Sequence, residues 1–135
     1  MIRQLSDKVV VSGQIAPHEV AGLAAQGITV IVNNRPDGEE PGQPLAADIE
    51  AAAAEAGIPY HFVPIIRGIG PADVEEMQKA MREAENGKLL AFCRSGTRSA
   101  LALALAKREE GASAEDVTRK LTEAGFDPGP IAHLL

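Results

Sequence analysis

The chain has 135 residues, 45% of them hydrophobic and 24% charged, which suits one compact unit with one core, residues 1–135 forming a single domain. A net charge of −6 argues against general nucleic-acid or anionic-membrane binding. The single cysteine excludes an internal disulfide and any cysteine-rich metal site, and the three histidines, at 18, 61 and 133, show no ligand spacing, so no metal and no cofactor is expected.

In chain order, residues 1–8 contain no apolar run of signal-peptide length, and no stretch is long enough to cross a bilayer, so a cytoplasmic location is the default expectation. Val9-Val10-Val11 is β-branched, stops at Ser12-Gly13, and reads as a short strand. Pro17 opens a helix to about Gln26, closed by Gly27. Residues 28–32 form a buried strand that ends in the turn-rich stretch Asn33-Asn34-Arg35-Pro36-Asp37-Gly38, from which a loop runs through Pro41 to Pro44. A second helix spans residues 45–56, with Leu45, Ile49, Ala52, Ala53 and Ala56 on its apolar face. A strand over 58–63 and a loop over 64–70 follow, and Pro71 starts a third helix with Val74, Met77, Met81 and Ala84 inward. Lys88 to Phe92 is the next strand. Beyond Cys93 a helix over 100–110 is apolar almost all round, the pattern of a helix buried on most sides. Ser113 caps a last helix closed by Gly125, and the apolar end, residues 131–135, either closes the core or makes a dimer contact.

Strand–helix alternation of this kind predicts an α/β fold, a mainly parallel central sheet flanked by helices. Ligands then bind outside the carboxyl ends of the strands, where the loops 33–44, 64–70 and 93–99 should meet.

The most informative segment is Cys93-Arg94-Ser95-Gly96-Thr97-Arg98-Ser99. A cysteine at a strand-to-helix turn faces several backbone N–H groups and the positive end of a helix dipole, with two arginines close by in sequence. These features favour the reactive thiolate and also bind oxyanions. A buried structural cysteine would not be followed by six residues that are all polar or glycine. Cys93 is therefore the candidate nucleophile and Arg98 its catalytic partner, which positions an anionic donor. Arg94, Ser95, Gly96, Thr97 and Ser99 form the candidate substrate cradle. Gly96 permits close backbone approach, and Ser99 either donates to the thiolate or caps the following helix. Arg35, at the end of its strand, is a weaker substrate-side candidate, with Asp37 pairing with it or closing a turn.

The loop resembles two related enzyme groups. Cys-x-x-Gly-x-Arg turns occur in rhodanese-type sulfurtransferases, and a version one residue longer marks cysteine-dependent phosphatases. On Asn33–Glu39 and Ala91–Ser99 the chain resembles the phosphatase-like domain family of beta-lactamase-hydrolase-like proteins. That resemblance implies a dual-specificity-phosphatase type of fold, and a setting in sulfide metabolism beside a persulfide-oxidising enzyme as partner. The spacing itself separates the chemistries. Arg98 lies five residues after Cys93, and the phosphatase position, six after, holds Ser99. A phosphatase also needs an acid for the leaving oxygen. The loop 64–70 has no carboxylate, and Asp73 reads as helix-start structure. The expected function is sulfur transfer from thiosulfate or a persulfide through a Cys93 persulfide, with hydrolysis of phosphate esters through phosphocysteine as the alternative.

Overall fold

A computed structural model describes residues 2–135. The strands are β1 (Ile2–Ser6), β2 (Val9–Ser12), β3 (Ile28–Asn33), β4 (Tyr60–Phe62) and β5 (Lys88–Phe92). The helices are α1 (Val20–Ala25), α2 (Ala46–Glu55), α3 (Pro71–Glu83), α4 (Thr97–Glu109) and α5 (Ala114–Glu123), with single 3-10 turns over Pro17–Glu19 and Gly129–Leu134. The sheet runs in the order β1-β2-β5-β3-β4. β2, β5, β3 and β4 are parallel, and β1 closes one edge antiparallel to β2. The expected α/β architecture is thus the one observed.

The core divides along the sheet because side chains alternate across a strand. Val9, Val11, Val30, Val32, Leu89 and Ala91 face α3, α4 and α5. Val10, Ile31, Leu90 and Phe92 face α1 and α2. Helix α4 is buried from Ser99 to Ala106, as its unbroken Ala/Leu run requires. The small alanines let α4 lie close to both the sheet and α3.

Several boundaries differ from the sequence reading. β1 was not anticipated: an edge strand needs only one paired side, and none of its residues is fully buried. The 58–63 strand is shorter, Tyr60–Phe62. The helix after Cys93 starts at Thr97, not Ala100, with Gly96 as its N-cap in a left-handed conformation, φ +96°. Ser99 therefore lies in the first helical turn and is not the cap. Leu45 is the N-cap of α2 and is exposed, so it does not belong to that helix's apolar face. Ser113 does cap α5, accepting a bond from the Asp116 N–H at 3.0 Å. Of the C-terminal residues, Ile131 enters the core beside α4 and α5, whereas Leu134 stays exposed. No helix among the described residues is long and apolar enough to cross a membrane.

Candidate active site

Parallel strands β2, β3 and β5 all end at the same edge, so the loops that follow them converge by topology. Cys93 comes directly after β5 and is 1% exposed. Its Sγ accepts a bond from the Gly96 N–H at 3.1 Å. That bond exists because Gly96 turns the chain with positive φ and aims its amide back into the loop. The loop is also pressed onto the end of β2. A Cβ on Gly13 would lie 2.9 Å from the Arg94 carbonyl oxygen, so only glycine allows this approach. Gln14 N–H donates to the same oxygen at 3.4 Å.

Arg98 acts on the thiol, and two glutamates tie it and two further arginines, Arg35 and Arg94, into one network at the mouth of the loop. Arg98 projects from the first turn of α4. Its Nη1 donates to Glu39 Oε2 at 2.7 Å and to the Ile65 carbonyl at 2.8 Å, and its Nη2 donates to Glu39 Oε1 at 2.8 Å. One arginine thereby ties the 93–99 loop to both the 33–44 and the 64–70 loops. Arg35 is 1% exposed. Its Nε donates to Glu39 Oε1 at 3.0 Å, Nη1 to Gln14 Oε1 at 3.0 Å and Nη2 to Glu40 Oε1 at 2.9 Å. Arg94 is exposed, with Nη2 3.5 Å from Glu40 Oε2.

The electrostatics follow from these pairings. The hydrogen bond from Arg98 is the largest influence on Glu39; burial opposes it, Arg35 adds to it, and the carboxyl is held at about 2. Hydrogen bonding to Arg35 and the charge of Arg94 likewise lower Glu40. Arg98 is raised first by its bond to Glu39, against desolvation, and further by the charge of Cys93. Burial works against the charge on Arg35, but hydrogen bonds to Glu40 and Glu39 prevail and its pKa is raised. A buried cation is tolerable only with such partners.

The structure thus gathers Cys93, Gly96, Arg98, Arg35 and, at the rim, Arg94. Ser95 and Thr97 are less central: the Ser95 hydroxyl donates to Thr97 Oγ1 at 3.2 Å at the loop surface. Ser99 is fully buried and its hydroxyl makes no hydrogen bond among the described residues. Asp37 does not pair with Arg35; it accepts from the Ala46 N–H at 2.8 Å and so closes the loop onto α2. Asp73 accepts from the Gly70 N–H at 2.9 Å, the helix-start role expected of it. His61 pairs with Glu83 at 3.0 Å, away from the thiol loop. Glu39, Glu40 and Gln14 were missed from sequence. The one available signal was that two adjacent acidic residues follow Arg35 in the same turn-rich loop. Among the described residues no cluster of three or more histidine, cysteine or acidic side chains has the arrangement of a metal site.

Comparison with known proteins places this geometry. Residues 1–109 match the family model described as "Beta-lactamase hydrolase-like protein, phosphatase-like domain". A beta-lactamase hydrolase-like protein of Xylella fastidiosa (strain Temecula1) is 39% identical over 130 residues, 95% of this chain. The chain spans 30% of that relative's length. Among solved structures, a candidate phosphatase from Neisseria meningitidis aligns with TM-score 0.80 and 29% identity, covering 98% of this chain and 94% of the other. A kinase associated phosphatase with serine in place of its catalytic-site cysteine aligns with TM-score 0.70 and 20% identity, covering 92% of this chain and 82% of that one. The fold is therefore of the cysteine-phosphatase type. These likenesses back the phosphate-ester alternative better than they back sulfur transfer.

Proposed function

Since the chain belongs to the family of the phosphatase-like domain of beta-lactamase hydrolase-like proteins, we propose that it is a cysteine-dependent group-transfer enzyme, and that the group Cys93 takes up is sulfane sulfur from a small anionic donor such as thiosulfate or a persulfide. The observation that carries this reading is the state of the carboxylates at the mouth. Glu39 is held as an anion down to about 2 by Arg98 and Arg35, and Asp73 is committed to the start of α3. A general acid works best with a pKa near the operating pH. Hydrolysis of an alkyl phosphate would need such an acid; sulfur transfer does not, because sulfite and thiolate leave as stable anions.

In the proposed reaction the Cys93 thiolate attacks the outer sulfur of thiosulfate. The S–S bond of the donor breaks, its electron pair leaves with sulfite, and Cys93 carries a persulfide anion. A thiol or cyanide then attacks that terminal sulfur and regenerates the thiolate, a two-step displacement. The Gly96 amide and the positive end of α4 face the charge that builds on sulfur. Arg98 retains N–H groups beyond those given to Glu39 and Ile65, and these receive the donor. Three arginines against two glutamates leave one positive charge in excess, which the thiolate balances.

Phosphomonoester hydrolysis is the second reading, favoured by the phosphatase fold and the family's description. One experiment separates the two. Intact mass of the protein after thiosulfate treatment, with Cys93→Ser alongside, should show one added sulfur in the wild type only, removed by cyanide as thiocyanate. No adduct with thiosulfate or glutathione persulfide, together with hydrolysis of p-nitrophenyl phosphate that Cys93→Ser abolishes, would replace sulfur transfer by phosphate-ester hydrolysis.

A further inference from the structure

Beside Arg98 the surface opens into a groove of about 470 Å³. One wall is the 64–70 loop, with Ile65, Ile66 and Ile69; the other is the C-terminal turn, with Pro130, Ile131 and Leu134. Its size falls within the range of small-molecule sites. Arg98 is the one arginine in its lining, and the same side chain interacts with Cys93 by charge and by hydrogen bonding. Two of the apolar walls are solvent-facing: Ile66 is 75% exposed and Leu134 53%. An isoleucine that exposed at a loop tip contributes nothing to the core; the loop is fixed by the buried Ile65 side chain and by its backbone, through the Ile65 carbonyl on Arg98 and the Ile65 N–H on Asn34 O at 3.0 Å. The apolar surface is thus presented by a rigid frame next to the anion-binding cation.

We infer that this groove is the specificity subsite of the reaction centre, and that it receives the apolar body of a substrate whose anionic head lies on Arg98. The substrate class is an organic anion with an aromatic or branched aliphatic body. Under the sulfur reading, on which the class of the head rests, this is an organic thiosulfonate or persulfide in preference to inorganic thiosulfate, which loads the same thiol but has no body for the groove. With a thiosulfonate the step balances without an oxidant. The Cys93 thiolate bonds to the terminal sulfur, the sulfur–sulfonyl bond breaks, and a sulfinate leaves with the electron pair. The body stays in the groove during the step, since it belongs to the leaving group and the groove lies alongside the loop, not beneath the thiol.

Binding and reaction test this separately. In Cys93→Ser, benzenesulfonate and methanesulfonate share a head and differ only in body. Calorimetric titration should find benzenesulfonate tighter by roughly tenfold or more, the scale of burying a ring. Ile66→Ser combined with Leu134→Ser, both exposed and so expected to fold, should abolish that preference and leave methanesulfonate binding unchanged. Equal affinity for the two anions, no binding of either, or a preference that survives the double substitution overturns the subsite. Wild-type protein is then treated with the benzenethiosulfonate and methanethiosulfonate salts, and the added sulfur is read by mass. Faster loading by the aryl donor completes the inference. If neither donor loads while the aryl preference in binding persists, the groove stands and the sulfur reading falls. Phenyl phosphate, cleaved faster than methyl phosphate, would then identify the head as phosphate.

Discussion

Glu39 bridges Arg35 and Arg98 with one carboxylate, so its charge governs both the loop assembly and the access of anions to Arg98. Substituting Glu39→Gln removes the competitor for Arg98, and sulfate affinity should rise by roughly threefold or more, measured by titration on Cys93→Ser. Unchanged or weaker binding would show that Glu39 positions Arg98 rather than occupying it. Stability follows the same group. The carboxyl is lowered from 4.5 to about 2 in the folded chain, so its contribution is complete above 4.5 and is lost as pH falls from 4.5 toward 2. Urea midpoints should accordingly drop between about pH 5 and about pH 3 more steeply in the wild type than in Glu39→Gln. Equal slopes would mean that other carboxylates control acid unfolding. Neither glutamate was legible from sequence, because Glu39 meets Arg98 across 59 residues of chain. A local pattern of charges in a turn does not say which distant loop it will face.

At the scale of elements, the turn that carries Cys93 is set by β5 and α4 and clamped by the end of β2. Lys88–Phe92 could be read to the residue, since a short apolar run before a polar glycine-containing turn has one natural reading. The start of α4 was placed three residues late, because Thr97, Arg98 and Ser99 are polar and Gly96 reads as loop, although glycine is an accepted N-cap. That shift matters chemically. It puts Arg98 on a rigid helix turn and buries the Ser99 hydroxyl. The edge strand β1 escaped notice because Ile2-Arg3-Gln4-Leu5-Ser6 is too polar to resemble a core strand. The contact least visible in sequence is that of Gly13 with the Arg94 carbonyl, which only the register of β2 against β5 creates. Gly13→Ala forces a backbone shift of the loop, because the clash at 2.9 Å is with main chain and not with a flexible side chain. It should cost about 1–3 kcal/mol in stability by thermal unfolding. Under the proposed sulfur transfer, loading of Cys93 should slow as well, since the Gly96 amide moves with the loop. A folded Gly13→Ala with wild-type loading would show that the loop tolerates displacement.

Across the whole molecule two fields oppose each other at the mouth. The chain carries a net charge of −6, which repels anions from a distance. The arginine cluster attracts them at contact, but Glu39 and Glu40 cancel most of its reach. Salt distinguishes the two ranges. The Debye length falls from about 30 Å at 0.01 M to about 8 Å at 0.15 M, so added salt removes the distant repulsion before it weakens contacts of about 3 Å. Under the proposed sulfur transfer, loading of Cys93 by thiosulfate should therefore accelerate, by roughly twofold to fivefold, between those ionic strengths. A site whose own cationic field dominated would slow instead, as steered association does. In Glu39→Gln the local field is stronger by one unit, so the acceleration should shrink or reverse. That pair of salt profiles, measured as second-order loading rates, reads out whether the two glutamates set the net attraction of the pocket. An acceleration of the same size in both proteins would assign control to the acidic surface as a whole.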